Sequence, residues 1–151
     1  MINRLRVRAQ SESGFTLVEL LVVMLILGLL AAIAIPAFFN QRTKAQDAEA
    51  KSTVKTAQTA LETYATDNNG SYLNADRTKL KNIEPTLSTA TSGDNAITAL
   101  SATSNSYTIT VQSASGNTFT IQRATDGSLS YPCTPTGGGG GCPGSPTPGW
   151  G

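Results

Sequence analysis

Glu19 is the one ionisable group inside an apolar run from Phe15 to Ile35, in which only Thr16 and Glu19 are neither apolar nor Gly. A carboxylate at the centre of a membrane segment is unfavourable by ~2.5–3.5 kcal/mol, less near an end, and normally has a partner. A run built only to anchor a chain would carry Leu there. A counter-charge arises if the chain is cut between Gly14 and Phe15. The new α-amine has a reference pKa of roughly 7.7–8.0 and is largely cationic at neutral pH. Glu19 lies four residues on, one helical turn away. It can pair with the amine of its own chain, where a first-turn carboxylate also suits the helix dipole. It can equally pair with the amine of a neighbouring, staggered helix. The sequence leaves both open.

Little else in the chain is reactive. There is no His, which removes the commonest general base and the commonest metal ligand. No nucleophile–base constellation is visible, so an enzyme is not expected, and neither is a cofactor. Cys133 and Cys142 lie beyond the apolar run and suggest a disulfide. Without His or further Cys, they do not suggest a metal site.

The apolar run, read as a helix, is ~30 Å long, about the thickness of a bilayer's hydrocarbon core. Arg4, Arg6 and Arg8 precede it, so the positive-inside rule keeps the N-terminus cytoplasmic and puts everything after Pro36 outside. An ordinary secretory signal peptide is a competing reading, with Leu20–Leu30 as its apolar region and Ala32-Ile33-Ala34 as its cleavage site. Glu19 at the head of that region and the Gly14-Phe15 junction argue against it. An uncleaved anchor for an extracellular domain is a further alternative. Gly28 and Pro36 weaken the helix, and a kink or a locally melted turn is expected near Ala32–Pro36.

Beyond Pro36 the helical pattern resumes. Ala50, Val54, Ala57, Leu61 and Tyr64 recur at spacings of four and three, one stripe on a helix. Lys44, Asp47, Lys51, Lys55, Gln58 and Glu62 lie off that stripe and read as its solvated side, with Asp47 and Lys51 a favourable i,i+4 pair. Asp67-Asn68-Asn69-Gly70 is a strong stop, and Asn69-Gly70-Ser71, although it matches a glycosylation acceptor, reads as the turn after the helix. Residues 68–105 are polar and poorly periodic; Leu80, Ile83, Leu87, Ile97 and Leu100 could anchor one or two short helical turns. Tyr107, Ile109 and Val111 then alternate with polar residues, as do Phe119 and Ile121. Ser115-Gly116-Asn117 joins them as a hairpin, and Asp126-Gly127 turns the chain into a third strand, Ser128–Tyr131. Three strands alone are marginal, so their apolar face needs the Ala50–Tyr64 stripe. The expected fold is α+β: a long N-terminal helix, membrane-spanning in its first half, with a small antiparallel three-stranded meander on its outer half.

The motif Gly14-Phe15-Thr16-Leu17-Val18-Glu19, after a short basic leader and before an apolar run ending at Pro36, resembles the class III signal sequence of type IV pilins. The pseudopilins of type II secretion and the competence pilins share it. The resemblance covers roughly residues 8–65; beyond them only the architecture is similar. It implies a pilin-like fold, a dedicated prepilin peptidase that cuts after Gly14 and methylates the Phe15 amine, and assembly into a helical homopolymer. Thr16, Glu19 and Pro36 fall at assembly positions, Glu19 meeting the Phe15 amine of an adjacent subunit. Pilins also resemble this chain in closing a C-terminal loop with a disulfide, here Cys133 to Cys142. The implied partners are the membrane before assembly, a membrane assembly platform and its ATPase. The implied location is a single-pass cytoplasmic membrane protein that becomes a cell-surface filament.

The 151 residues then divide into a leader (1–14), a transmembrane or filament-core helix (15–36), an amphipathic second half (37–67), a globular head (68–135) and a flexible Gly/Pro-rich tail (136–151). The formal net charge is +1. Removing the leader takes away three Arg and one Glu, leaving eight cationic side chains against nine acidic ones. No basic surface for nucleic acid follows. The first functional expectation is a type IV pilus-like filament subunit. The second is a major pseudopilin of a type II secretion system or a competence pilin, and the outsider is a membrane-anchored or secreted binding domain.

Overall fold

The structure is a computed structural model that describes residues 14–135, 141–144, 149 and 150. The leader up to residue 13 and tail residues 136–140, 145–148 and 151 lie outside the described residues. The chain falls into two units, Met1–Ala37 and Phe38–Gly151.

The first helix, α1, is Leu17–Asp67. It is long and apolar enough to cross a membrane by length and composition, and in the single chain the large apolar side chains from Phe15 to Ile35 are all exposed. The expected melted turn does not form: helical backbone runs through Pro36. A proline removes one backbone donor, and Ala31, Ala32, Ala34 and Ala37 around it are the strongest helix formers.

In the second unit the stripe behaves as its spacing predicts. Ala50, Val54, Ala57 and Leu61 are fully buried in one cluster with sheet residues Ile97, Ile109, Val111, Phe119 and Ile121, and Tyr64 is nearly buried. Burying each large aliphatic or aromatic side chain is worth about 1.5–3 kcal/mol. The helix stops where expected: Asn69 and Gly70 take positive φ (56° and 82°), and the Gly70 N–H bonds the Ala65 carbonyl at 2.7 Å. Glycine adopts that backbone without the Cβ clash other residues meet.

A short helix, α2 (Arg77–Ile83), is capped by Asp76, whose side chain accepts from the Lys79 N–H; it buries Leu80 and accounts for one expected helical turn. Five strands follow: β1 (Ile97–Ala102), β2 (Tyr107–Gln112), β3 (Thr118–Arg123), β4 (Leu129–Ser130) and β5 (Cys133–Thr134). They run antiparallel in the order β1-β2-β3-β4, with β5 also on β3. The expected hairpin and third strand are β2, β3 and β4, but the sheet is larger than a three-stranded meander. The correction at β1 has a physical reason. Ile97 and Leu100 are three apart, a helical spacing, yet a bulge between Ile97 and Ala99 shifts the register so that Ile97 opposes Val111 and Leu100 opposes Ile109. The bulge brings both to the core side.

Of the flexible tail expected at 136–151, residues 141–144, 149 and 150 are described and carry specific contacts. Cys133 and Cys142 form a disulfide, with S–S 2.01 Å and Cα–Cα 5.7 Å. Trp150 packs edge-on against Phe119 and Tyr131, with ring centroids 5.7 and 5.5 Å apart. Its indole N–H lies 3.2 Å from the carbonyls of both Thr120 and Pro132. A large amphipathic ring with one donor supplies what the surrounding Gly and Pro cannot.

Candidate functional site

At the start of α1, Gly14 and Phe15 precede the first helical residue and both are exposed. Among the described residues nothing lies within 4 Å of the place where a Cβ would stand on Gly14. Thr16 caps the helix. The Glu19 N–H donates to Thr16 Oγ1, and the Thr16 N–H and hydroxyl both donate to Glu19 Oε2, all at 3.2 Å. This reciprocal capping box satisfies two donors that a helix start otherwise leaves orphaned. It was legible as Thr16-x-x-Glu19, although the run's hydrophobicity draws attention elsewhere. Glu19 therefore has a partner within the uncut chain, and that partner is Thr16. Pro36 lies within α1, just past the end of the apolar run.

The second unit holds two polar centres that the periodicity placed on the solvated side. Asp47 is fully buried. Its Oδ1 accepts from the Ser115 hydroxyl, and its Oδ2 accepts from Asn117 Nδ2 at 2.9 Å and the Gly141 N–H at 2.6 Å. Burial alone would raise its pKa. The donors Gly141, Ser115, Ser113 and Asn117 outweigh it and hold the carboxyl below the ordinary value of 3.8. The surface pair expected with Lys51 is thus corrected. Asp47 sits three residues before Ala50, where the stripe itself continues, and a count extended by one turn would have found it.

Farther along α1, Glu62 accepts from the hydroxyls of Tyr72 (2.7 Å) and Tyr107 (2.9 Å), and Arg123 lies 3.6 Å away. Gln58 Nε2 donates to the Tyr107 hydroxyl at 3.2 Å. The two rings meet edge-on at 4.9 Å. Burial first, then the Glu62 carboxylate, pushes Tyr72 up to about 12 and Tyr107 further still. Both centres fasten α1 to the sheet with charge-assisted hydrogen bonds. Among the described residues no three His, Cys, Asp or Glu side chains gather as metal ligands.

Residues 10–35 match the family model described as the prokaryotic N-terminal methylation motif. The type II secretion system core protein G of Aeromonas hydrophila is 41% identical over 58 residues, covering 38% of this chain and 41% of that protein. The type IV major pilin protein PilA of Myxococcus xanthus is 45% identical over 51 residues, covering 34% and 23%. The type IV major fimbrial protein FimA of Dichelobacter nodosus is 43% identical over 56 residues, covering 37% and 36%. The chain thus spans less than half the length of these curated relatives. No solved structure matches it.

Proposed function

We propose that the chain is the structural subunit of a type IV pilus-like extracellular filament. A prepilin peptidase cuts it after Gly14 and methylates the Phe15 amine, and an assembly platform with its ATPase draws it from the membrane into a helical homopolymer. The observation that carries this is the exposed Gly14–Phe15 bond set one turn before Glu19, inside the segment matched by the methylation motif. The capping box deepens the reading. Before assembly, Thr16 partly satisfies the carboxylate and lowers its cost in the membrane. On assembly, Glu19 exchanges a cap worth about 0.5–2 kcal/mol for the cationic amine of an adjacent subunit. A charge pair in an apolar interface loses about 3–5 kcal/mol when one partner is removed, so subunits out of register are rejected. The exposed apolar half of α1 supplies the packing area.

The second reading is a major pseudopilin of a type II secretion system, favoured by the likeness to core protein G. Either way the N-terminus stays cytoplasmic and the second unit lies outside.

Mass spectrometry of the membrane and filament fractions tests the processing step. The expected mature chain begins at N-methylated Phe15. A chain beginning at Ile35 would mean ordinary signal peptidase and would overturn the reading. Glu19→Val should remain in the membrane and form no filaments; a normal filament yield would reduce Glu19 to a helix cap.

A further inference from the structure

We propose that Tyr72 and Tyr107 form a cross-linking site, at which a one-electron oxidant joins the two rings as dityrosine and Glu62 removes their protons. The rings meet edge-on with centroids 4.9 Å apart. Their hydroxyls converge on one carboxylate, Tyr72 donating to Glu62 Oε2 at 2.7 Å and Tyr107 to Glu62 Oε1 at 2.9 Å. Dityrosine forms between the ring carbons next to the one that bears oxygen. A shared acceptor at the oxygens therefore draws the reactive edges together. Both residues are buried, so a radical formed on one ring meets the other ring before it meets another chain.

Oxidation here needs a base. Burial first, and then the Glu62 carboxylate, raise both phenols, so they carry their protons at neutral pH. An electron can leave only if a proton leaves with it. Glu62 accepts from both phenols yet is itself partly exposed, so it can take each proton in turn and release it to water. Gln58 Nε2, 3.2 Å from the Tyr107 hydroxyl, can keep its bond to the oxygen after the proton has gone. Arg123, 5.8 Å from the Tyr72 ring, opposes loss of the electron there, but the carboxylate bonded to that phenol is nearer. The other two tyrosines lack such a base. The Tyr64 hydroxyl donates to the Leu73 carbonyl, and the Lys55 ammonium stands 4.1 Å over the Tyr131 ring.

Each phenol gives one electron to the oxidant and its hydroxyl proton to Glu62. The two phenoxyl radicals then pair their electrons in one carbon–carbon bond. The hydrogens on the joined carbons move to the oxygens and restore both phenols. The net loss is two electrons and two protons, and the oxidant is of the peroxidase and hydrogen peroxide class. The bond ties the segment just beyond α1 to β2. The site lies within the second unit and is the same whether or not the chain enters a filament.

The full-length chain in detergent micelles, oxidised by flash photolysis of ruthenium tris-bipyridyl with persulfate, provides the test. Dityrosine fluorescence gives the rate, and peptide mapping gives the partners. The expected product is a monomer lighter by two hydrogens, with the peptides of Tyr72 and Tyr107 joined. Tyr107→Phe should abolish that cross-link. Glu62→Gln keeps an acceptor but is no base, and should slow cross-linking by about 10²-fold, the scale of one positioned proton acceptor. Heavy water should slow the wild type, a response that ring packing alone does not give. If Glu62→Gln fails to fold, the wild-type map and the heavy-water rate decide. A map dominated by Tyr64, Tyr131 or pairs between chains overturns the proposal. So does a rate unchanged in Glu62→Gln or in heavy water.

Discussion

Replacing Glu62 by Ala should cost far more stability than its half-exposed position suggests. The carboxylate is the acceptor for two phenols, Tyr72 and Tyr107, which are only 5% and 2% exposed. Removing it takes this acceptor from both hydroxyls at once. A buried donor left unpaired costs about 1–3 kcal/mol, whereas the Arg123 contact, at 3.6 Å with both groups partly exposed, contributes about 0–1 kcal/mol. Allowing for rearrangement of one phenol, the expected loss is about 2–4 kcal/mol, a large share of the ~5–15 kcal/mol typical of a domain. For a domain of roughly 100 residues this lowers the melting temperature by roughly 8–16 °C. Glu62→Gln keeps one carbonyl acceptor and should lose about half as much. The measurement is thermal unfolding of the full chain in micelles, followed by circular dichroism and Trp150 emission. In a Tyr72→Phe/Tyr107→Phe background the donors are gone, and Glu62→Ala should then cost less than about 1 kcal/mol. A drop below about 3 °C in the wild-type background, or an undiminished cost in the double-Phe background, would refute the role given to the two phenols.

Tyr72 and Tyr107 also predict an alkaline limb. Their folded pKa values are raised above the ordinary 10, so the stability they contribute is fully present below pH 10 and is lost as pH rises through about 12. Ultraviolet titration should show phenolates appearing late in the wild type and earlier in Glu62→Ala. Asp47 has the opposite sign. Its folded pKa is depressed, so its contribution is present above the ordinary 3.8 and is lost as pH falls through the lower folded value; urea midpoints measured across that range should fall less steeply for Asp47→Asn. Phe119→Ala should cost about 3–5 kcal/mol in a urea melt, because the ring is fully buried and Trp150 and Lys51 both rest on it.

What the sequence disclosed and what it concealed divide along a physical line. Ala50, Val54, Ala57, Leu61 and Tyr64 were legible because a single period of 3.6 governs them, and β2 and β3 because theirs is 2. The Asn69-Gly70 stop was legible because its chemistry is local. β1 was concealed by its bulge, which makes a strand carry a helix's spacing. Asp47 and Glu62 were concealed because charge on a helix ordinarily means water, and only partners outside α1, 10 to 94 residues away, reverse that. Trp150 was concealed by neighbours whose composition resembles a linker. In the N-terminal segment the motif was legible as a whole, yet Thr16 was read only as part of a pattern, although its spacing to Glu19 spells a cap.

The threonines of α1's second half bear on how this helix meets a neighbour. The hydroxyls of Thr59, Thr63 and Thr66 donate to the carbonyls of Lys55, Thr59 and Glu62, each one turn back, at 3.2, 2.9 and 2.9 Å. At spacings of four and three they share one side of the helix, away from the Ala50–Leu61 core stripe. Such back-bonding slightly weakens and bends a helix, a modest penalty on an element so firmly fastened elsewhere. In exchange, the helix keeps these three protons occupied on its own backbone. A surface with its donors already engaged sheds its hydration cheaply, because no hydroxyl is stranded when water leaves. What this flank leaves to be satisfied is the oxygens of its alcohols, not their protons.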